Sequence, residues 1–477
     1  MVAGSAGPHL IGSASRCGSR AEVSVIRLLR GDCLDLMARM PASSVDAIVT
    51  DPPYGLEFMG AAWDTFAGDK SGRALYAFSL AWATEALRVL KPGGHLLAFG
   101  GTRTYHRMVC GIEDAGFEVR DCISWIYGTG FPKNLDVAKA IDRALGAAPA
   151  VVGKRMLAHD IRGAGYHTGG GRGRVEASVT VAATAAATRW NGWGTALKPA
   201  QEPIVMARKP PSEKTLAHNV LCHGTGAINI DQCRVPSGAD HAAKCASVAG
   251  LTRKKDGVCY GSMAGARTDS YHPGGRWPSN LLLAHSEGCR ADAGRSSQCV
   301  SGCPVAELDR QSGQSQSRRG KPRAAAASGL AFQTTHTGAE YEDAGGASRF
   351  FYVAKASTWE RNFGLGGRPD GVPDPRPGKE PVAPNNHPTV KPIDLMRYLC
   401  RLVTPPGGVV LDPFMGSGST GIAAVLEARS FLGVEAERPF FNIAKARILH
   451  AARHQALYKD ACRGKDTKGR GGEEEAA

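Results

Sequence analysis

No stretch of this sequence stays apolar for long enough to span a membrane. Its hydrophobic runs are broken by Gly, Pro or a charge well before the ~20 residues a helical span requires, although 43% of the 477 residues are hydrophobic. The first twenty residues are small and polar and lack the continuous apolar segment of a secretion signal. They are read as a disordered leader. No internal repeat recurs along the chain. Cys-x-x-Cys pairs are missing too, and the 13 cysteines are odd in number and scattered. In a large chain without an export signal, reduced thiols are the simplest reading. These absences point to a cytoplasmic protein with no membrane partner.

What is abundant is positive charge. Lys and Arg number 58 against 44 Asp and Glu, a formal net charge of +14. Such an excess can bind a polyanion through counterion release, or it can coat a surface that is merely basic and solvated.

Composition divides the chain into zones. Residues 22–131 have α/β texture. VSVIRLL reads as a strand, and VDAIVT as a short buried parallel strand ending at Asp-Pro-Pro. AFSLAWATEALRVL has helical periodicity and runs into the stop signal Lys91-Pro92-Gly93-Gly94. HLLAFG and FEVRDCISWIY read as strands around a helix at 104–115. From about 132 to 384 periodicity is lost, and Gly, Ser, Arg, Thr and His rise. EPIVMARKP, SNLLLAH and SRFFYVAKA survive there as strand-like pieces of small sheets, and the Ala/Gly-rich piece at 150–189 reads as partly disordered. The α/β texture returns at 385 with PIDLMRYLCRLV, GVVLDPF, STGIAAVLEA, FLGVEAE and PFFNIAKARILHAARHQ. Neither half could bury a parallel sheet alone. The expectation is one α/β domain interrupted by a large insert. Its boundaries are a leader at 1–21, a first core part at 22–210 with an insertion at about 132–194, an insert at 211–384, a second core part at 385–458 and a disordered tail at 459–477.

Two motifs carry chemistry. The first is Asp412-Pro413-Phe414-Met415-Gly416-Ser417-Gly418-Ser419-Thr420-Gly421, which follows one strand and opens a helix. Gly416 and Gly418 let the backbone turn tightly and approach a ligand. Glu435 ends the next strand, where a carboxylate can accept hydrogen bonds from two ribose hydroxyls. A phosphate-cradling Walker loop is unsuited, because no Lys follows the glycines. A dinucleotide site fits the spacing, and a structural turn also fits. S-adenosylmethionine is favoured by the prefix, since Asp412 can face a cationic methionine part while Phe414 shapes the pocket.

The second motif is Asp51-Pro52-Pro53-Tyr54, after VDAIVT. Ligands of open parallel sheets gather at the carboxyl ends of strands. The plain alternative is an ordinary turn with a packed Tyr. The chemical reading rests on the weakness of a base's exocyclic amine, whose lone pair is delocalised into the ring. Two acceptors aimed at its N–H groups would draw the nitrogen towards a tetrahedral shape. The Asp51 carboxylate and the Pro52 carbonyl, stiffened by the adjoining Pro53 ring, can be those acceptors. Tyr54 offers a flat face to a base swung out of a duplex.

These residues together resemble the β class of DNA amino-methyltransferases, the N6-adenine and N4-cytosine enzymes. In that class the catalytic motif comes first, the target-recognition region second and the cofactor motif last, and here Asp51–Tyr54 precedes the insert and Asp412–Gly421 follows it. The resemblance covers roughly residues 22–131, 195–210 and 385–450. It implies a Rossmann-like, S-adenosylmethionine-dependent methyltransferase core, circularly permuted, with a large target-recognition insert. In Gly31-Asp32-Cys33-Leu34-Asp35 it points to Asp32 beside the cofactor adenine. In Asn386-His387-Pro388-Thr389-Val390-Lys391-Pro392 it implies cofactor contacts at Thr389 and Lys391. Glu435, Gly416 and Gly418 match the family's ribose-binding acid and paired glycines. Asp-Pro-Pro-Tyr is the form the family often uses for adenine, so adenine N6 is the expected target and N4-cytosine the alternative. A DNA-binding protein without catalysis is the reading from another class. The implied partner is double-stranded DNA, with room for a homodimer and a restriction enzyme.

The insert interleaves basic and aromatic residues: Arg189-Trp190, Trp193, Arg276-Trp277 and Arg349-Phe350-Phe351-Tyr352. Each pair alone is as compatible with a small local core as with nucleic acid, but together they favour DNA. His285, Cys289, Cys299 and Cys303 have the spacing H-x3-C-x9-C-x3-C. They could supply four ligands to a structural zinc, but the spacing is not a strong zinc pattern, and plain reduced side chains with no metal is the adopted reading.

Overall fold

The computed structural model describes residues 11–13, 24–56, 64, 66, 71–128, 134–157, 175–236, 274–286, 289, 299–301, 303–316, 344–354, 359–362, 364–365, 385, 387 and 389–455. The expected tail at 459–477 lies outside them, as does the leader apart from Ile11–Ser13.

The strands are β1 (Ile11–Ser13), β2 (Ser24–Arg30), β3 (Val45–Thr50), β4 (Leu90–Phe99), β5 (Glu118–Ile126), β6 (Ala150–Leu157), β7 (Val175–Val181), β8 (Gln201–Arg208), β9 (Leu281–Ala284), β10 (Ser315–Gln316), β11 (Ala344–Gly345), β12 (Tyr352–Ala354), β13 (Val409–Asp412) and β14 (Ser430–Glu435). The α-helices are α1 (Cys33–Ala38), α2 (Arg73–Val89), α3 (Tyr105–Asp114), α4 (Val137–Ala144), α5 (Ala185–Arg189), α6 (Leu216–His223), α7 (Pro304–Ser312), α8 (Ile393–Val403), α9 (Ser419–Leu426) and α10 (Arg438–Arg453). The chain forms two units, one of 1–58, 62–128 and 202–477, the other of 59–61 and 129–201.

The first unit is built on a ten-stranded sheet of order β1-β2-β14-β13-β3-β4-β8-β5-β9-β12. β2, β14, β13, β3 and β4 run parallel, and β8 returns antiparallel to β4. The central strands alternate between two buried faces. In β4, Leu97 and Phe99 enter one core with α8, α9 and α10, while Leu96 and Ala98 enter the other with α1, α2 and α3. β8 alternates likewise, Ile204 and Met206 against Val205 and Ala207. A sheet covered on both faces explains why these strands read as continuous apolar runs. The late strands β13 and β14 lie between the early strands β2 and β3. This is a Rossmann-like α/β core with permuted chain order. Asp46, 4% exposed, ties the strand starts together by accepting from Lys91 Nζ at 2.6 Å and from the Val409 N–H at 2.7 Å.

One expectation is corrected. SNLLLAH and SRFFYVAKA do not make separate small sheets: β9 pairs with β5 and β12 pairs with β9, both parallel, so they extend the main sheet. Leu282, Leu283 and Ala284 are buried there, a burial that local composition could not reveal. In the second unit, β6 and β7 pair antiparallel and α5 is helical, so part of 150–189 is ordered. Val175, Val179 and Val181, with Thr180, supply β propensity in β7 that the Ala and Gly content obscured.

Candidate functional site

Four neighbouring strands end on one edge of the sheet, and each delivers a polar residue. β3 ends at Thr50 and leads into Asp51; β13 ends at Asp412; β14 ends at Glu435; β2 leads through Gly31 to Asp32. A cavity of about 290 Å³ opens there, lined by Asp32, Asp51, Pro52, Pro53, Tyr54, Thr389, Lys391, Asp412, Phe414, Gly416 and Glu435 among others. The Thr50 hydroxyl donates to Asp412 Oδ1 at 2.7 Å across a separation of 362 residues, so the two motifs touch directly.

The Asp51–Tyr54 loop is held from both sides. Asp64, 1% exposed, accepts the N–H groups of Tyr54 and Gly55 at 2.8 Å each and that of Leu56 at 3.1 Å. Gly55 has φ +65°, a left-handed conformation suited to glycine. The Tyr54 hydroxyl donates to Asp51 Oδ1 at 2.6 Å, with Glu202 Oε2 3.1 Å from the same oxygen. Lys391 Nζ lies 2.5 Å from Asp51 Oδ2 and 3.2 Å from Glu202 Oε2. Burial alone would lower the Lys391 ammonium, but Asp51 and Glu202 outweigh it and hold the group charged. Burial, with Asp51 and Glu202 beside it, pushes the Tyr54 hydroxyl well above its ordinary value, so it stays a donor.

The glycine turn is built differently. Gly416 has φ +52°, and its N–H donates to Glu435 Oε2 at 2.8 Å. A Cβ at Gly416 would lie 2.7 Å from His387 Nε2. Burial pushes the His387 imidazole down to about 4, so it is neutral. The turn is anchored by Arg447, which is fully buried and donates to the Ser417 carbonyl at 2.5 Å and to the Glu360 carbonyl at 2.9 Å. Burial pushes Asp412 up to about 6 against the hydrogen bonds from Thr420 and Thr50. It pushes Glu435 up to about 7 against the N–H groups of Glu437 and Gly416. The cavity is therefore acidic, and Lys391, the cation lining it, is already paired.

The sequence-predicted residues do not all take equivalent positions. Gly418 does not line the cavity; with φ +84° it starts α9, and a Cβ there would meet Ile448 at 2.9 Å and Ala444 at 3.1 Å. Its requirement for glycine comes from packing against α10. Lys391 does line the cavity, but its ammonium faces Asp51 and Glu202. Asp32 caps α1, accepting from Leu34 N at 2.8 Å, while lining the cavity. Phe414 packs against Phe78 and, edge-on, against Trp82. Thr50, Asp64, Glu202, His387 and Arg447 were not singled out from the sequence. Glu202 stands at the start of a strand, where a carboxylate ordinarily faces solvent, and Asp64 is a single acid among small and aromatic residues outside either motif, so neither gave a signal.

Among the insert's aromatics, Trp277 and Phe350 are exposed. Arg234 lies over Trp277 at 5.3 Å and Arg349 over Phe350 at 4.1 Å. Tyr352, by contrast, stacks on Tyr398 and donates to the Asp394 carbonyl at 3.1 Å, a core role. In the other unit, Trp190 and Trp193 meet edge to face at 5.1 Å and are both exposed. No helix among the described residues is long and apolar enough to cross a membrane.

A permuted Rossmann-like sheet with an acidic pocket at its strand ends is the arrangement of a protein that binds a nucleotide-like ligand. The family model described as a DNA methylase of the N6/N4 type matches residues 45–446, and the chain belongs to that family. It is similar to the methylase YubD of Escherichia coli (strain K12), 37% identical over 93 residues, 20% of this chain and 39% of YubD. It is also similar to the type II methyltransferase M2.DpnII of Streptococcus pneumoniae, 42% identical over 62 residues, 13% of this chain and 23% of that protein. The matched stretches thus span less than half the length of these curated relatives. Among solved structures, the DNA modification methylase TTHA0409 of Thermus thermophilus, complexed with S-adenosyl-L-methionine, aligns over 90% of this chain and 96% of that one, with 16% identity and a TM-score of 0.34.

Proposed function

We propose that this protein methylates DNA, transferring a methyl group from S-adenosylmethionine to the exocyclic amine of a flipped base, adenine N6 being the target. The observation that carries the reading is that Asp51–Tyr54 and the Asp412–Ser417 turn with Glu435 line one cavity. The cofactor supplies an electrophilic methyl group on a sulfonium when bound. The residues present suit it: a buried carboxyl at Asp412 and a partly buried one at Glu435, both with raised proton affinity, favour a cationic ligand bearing a ribose diol. A dinucleotide's pyrophosphate would meet several acids and one already paired lysine there, which weighs against an NAD-dependent reading.

In this proposal Glu435 accepts the ribose hydroxyls, Asp412 faces the cationic part, and Gly416 permits close backbone approach. Thr389 and Asp32 complete the wall, Asp32 towards the adenine end. Asp51 and the Pro52 carbonyl accept the N–H groups of the target amine, and Tyr54 presents its ring to the base. Lys391 acts as a positioning residue, fixing the Asp51 carboxylate. After transfer Asp51 takes up the surplus proton or hands it to water. Catalysis is then positioning and electrostatics without a covalent enzyme intermediate. The stretch 211–384, with Trp277 and Phe350 beside arginines, carries target recognition on double-stranded DNA, and the protein works in the cytoplasm.

The test is transfer of tritiated methyl groups to duplex DNA by purified protein, followed by single-molecule sequencing of DNA from expressing cells. N6-methyladenine in a fixed context supports the proposal. N4-methylcytosine would move the target to the other amine. DNA binding without any transfer would overturn the enzymatic reading.

A further inference from the structure

At the far end of the main sheet from the cavity strands, β9 runs into His285, 3% exposed, whose N–H donates to the Ala354 carbonyl of β12 at 3.1 Å. Cys289 follows in a turn, and Cys303 is the residue from which α7 starts. Cys289 is 7% exposed and Cys303 fully buried, and Cys299 is half-buried between them. One ligand atom from each of the four side chains lies within 4.8 Å of every other.

The geometry distinguishes a ligand set from ordinary packing. His285 Nδ1 is 3.3 Å from Cys299 Sγ and 3.4 Å from Cys303 Sγ. An imidazole nitrogen offers one lone pair or one proton in the ring plane, so it serves one hydrogen bond and not two thiols at once. A cation at the centre accounts for both. Zinc–sulfur bonds of about 2.3 Å and a zinc–nitrogen bond of about 2.0 Å give tetrahedral nitrogen–sulfur edges of about 3.5 Å, and sulfur–sulfur edges of about 3.8 Å. The Cys289 sulfur also accepts the Val300 N–H at 3.4 Å.

Local stability gives a second, independent reason. Among the described residues the buried cluster here is small, made of Leu283, Cys289, Cys303 and Val305 with partly buried neighbours such as Ile126 and Phe351. Apolar groups this few hold α7 to the sheet weakly, and a metal staple is the usual remedy for a core of this size. Three sulfurs and one imidazole form a soft, closed donor set of the zinc type, with no position left for a reacting ligand.

We propose that His285, Cys289, Cys299 and Cys303 bind one structural zinc ion, which fixes the insert to the sheet beyond β5. The site is separate from the acidic cavity and stands whether or not the chain methylates DNA.

Full-length protein, expressed without added metal and purified without chelator, should carry about one zinc per chain by mass spectrometry of the metals. Cobalt exchanged into it should show the intense visible bands of tetrahedral cobalt and thiolate charge transfer in the near ultraviolet. Cys289→Ser with Cys303→Ser should lose both, while Cys222→Ser, an exposed cysteine on α6, should keep them. Wild-type protein free of metal, with the three site thiols reduced or two of them joined in a disulfide, would overturn the assignment. Zinc retained at full stoichiometry by the double variant would do the same. The wild-type measurement decides even if the double variant does not fold.

Discussion

Glu435 makes cofactor binding depend on pH in a way that can be worked out. Burial pushes its carboxyl up to about 7, and its two oxygens already accept N–H groups from Gly416 and Glu437. In the proposed complex the ionised carboxylate accepts two ribose hydroxyls, so the ligand binds the deprotonated form. The apparent Kd is then multiplied by 1 + 10^(pKa − pH), a linkage relation. With a value of about 7, affinity falls about tenfold at pH 6 and about a hundredfold at pH 5, each pH unit being about 1.4 kcal/mol. Asp412, pushed up to about 6, adds a further loss of about tenfold at pH 5 if it must also ionise. The protein alone behaves in the opposite sense. These are acids with raised folded values, so their contribution to stability is complete below about pH 4 and is lost as pH rises through 6 to 7. The ligand-induced rise in Tm should therefore grow between pH 5 and 8. The assay is calorimetric titration of S-adenosylmethionine in buffers of different ionisation enthalpy, which counts protons released. Glu435→Gln serves as the reference, because the ligand's own titrations cancel in the comparison. The variant should bind at least about tenfold more weakly at pH 8, the loss expected for hydrogen bonds to a charged acceptor. The two proteins should converge at about pH 6, where the wild type has itself lost about tenfold. Parallel pH profiles for both, or a wild-type Kd that stays level from pH 5 to 8, would refute the reasoning.

Other substitutions separate the parts of the site. Asp51→Ala should abolish methyl transfer, at least a hundredfold in kcat, while the S-adenosylmethionine Kd changes by only a few fold; affinity collapsing with activity kept would contradict the roles assigned. Lys391→Met leaves Asp51 and Glu202 beside each other without their buried cation, and should cost about 3–5 kcal/mol in denaturant unfolding. Gly416→Ala places a Cβ 2.7 Å from His387 Nε2 in the cavity wall, so cofactor affinity should fall more than stability. Gly418→Ala meets Ile448 and Ala444 instead, and should lower stability by about 1–3 kcal/mol in thermal unfolding, with Kd nearly kept in the folded fraction.

The local chemistry of this protein was readable from residues close together in the chain. Short apolar runs between turn residues marked β3, β4, β13 and β14, because strands buried on both faces need apolar side chains at every position. The two motifs announced themselves because tight turns at strand ends admit few residue types. Only the tertiary structure decided which distant groups meet. Lys391 meets both Asp51 and Glu202, Asp64 gathers the N–H groups of Tyr54, Gly55 and Leu56, and Arg447 reaches under the glycine turn from α10. A charged residue in sequence carries no mark of whether it will face water or a buried partner, since that choice depends on desolvation and pairing set by the whole fold. The same holds for β9 and β12, too short for their composition to declare a place in the main sheet, and for four cysteine and histidine side chains whose convergence depends on where those strands lie.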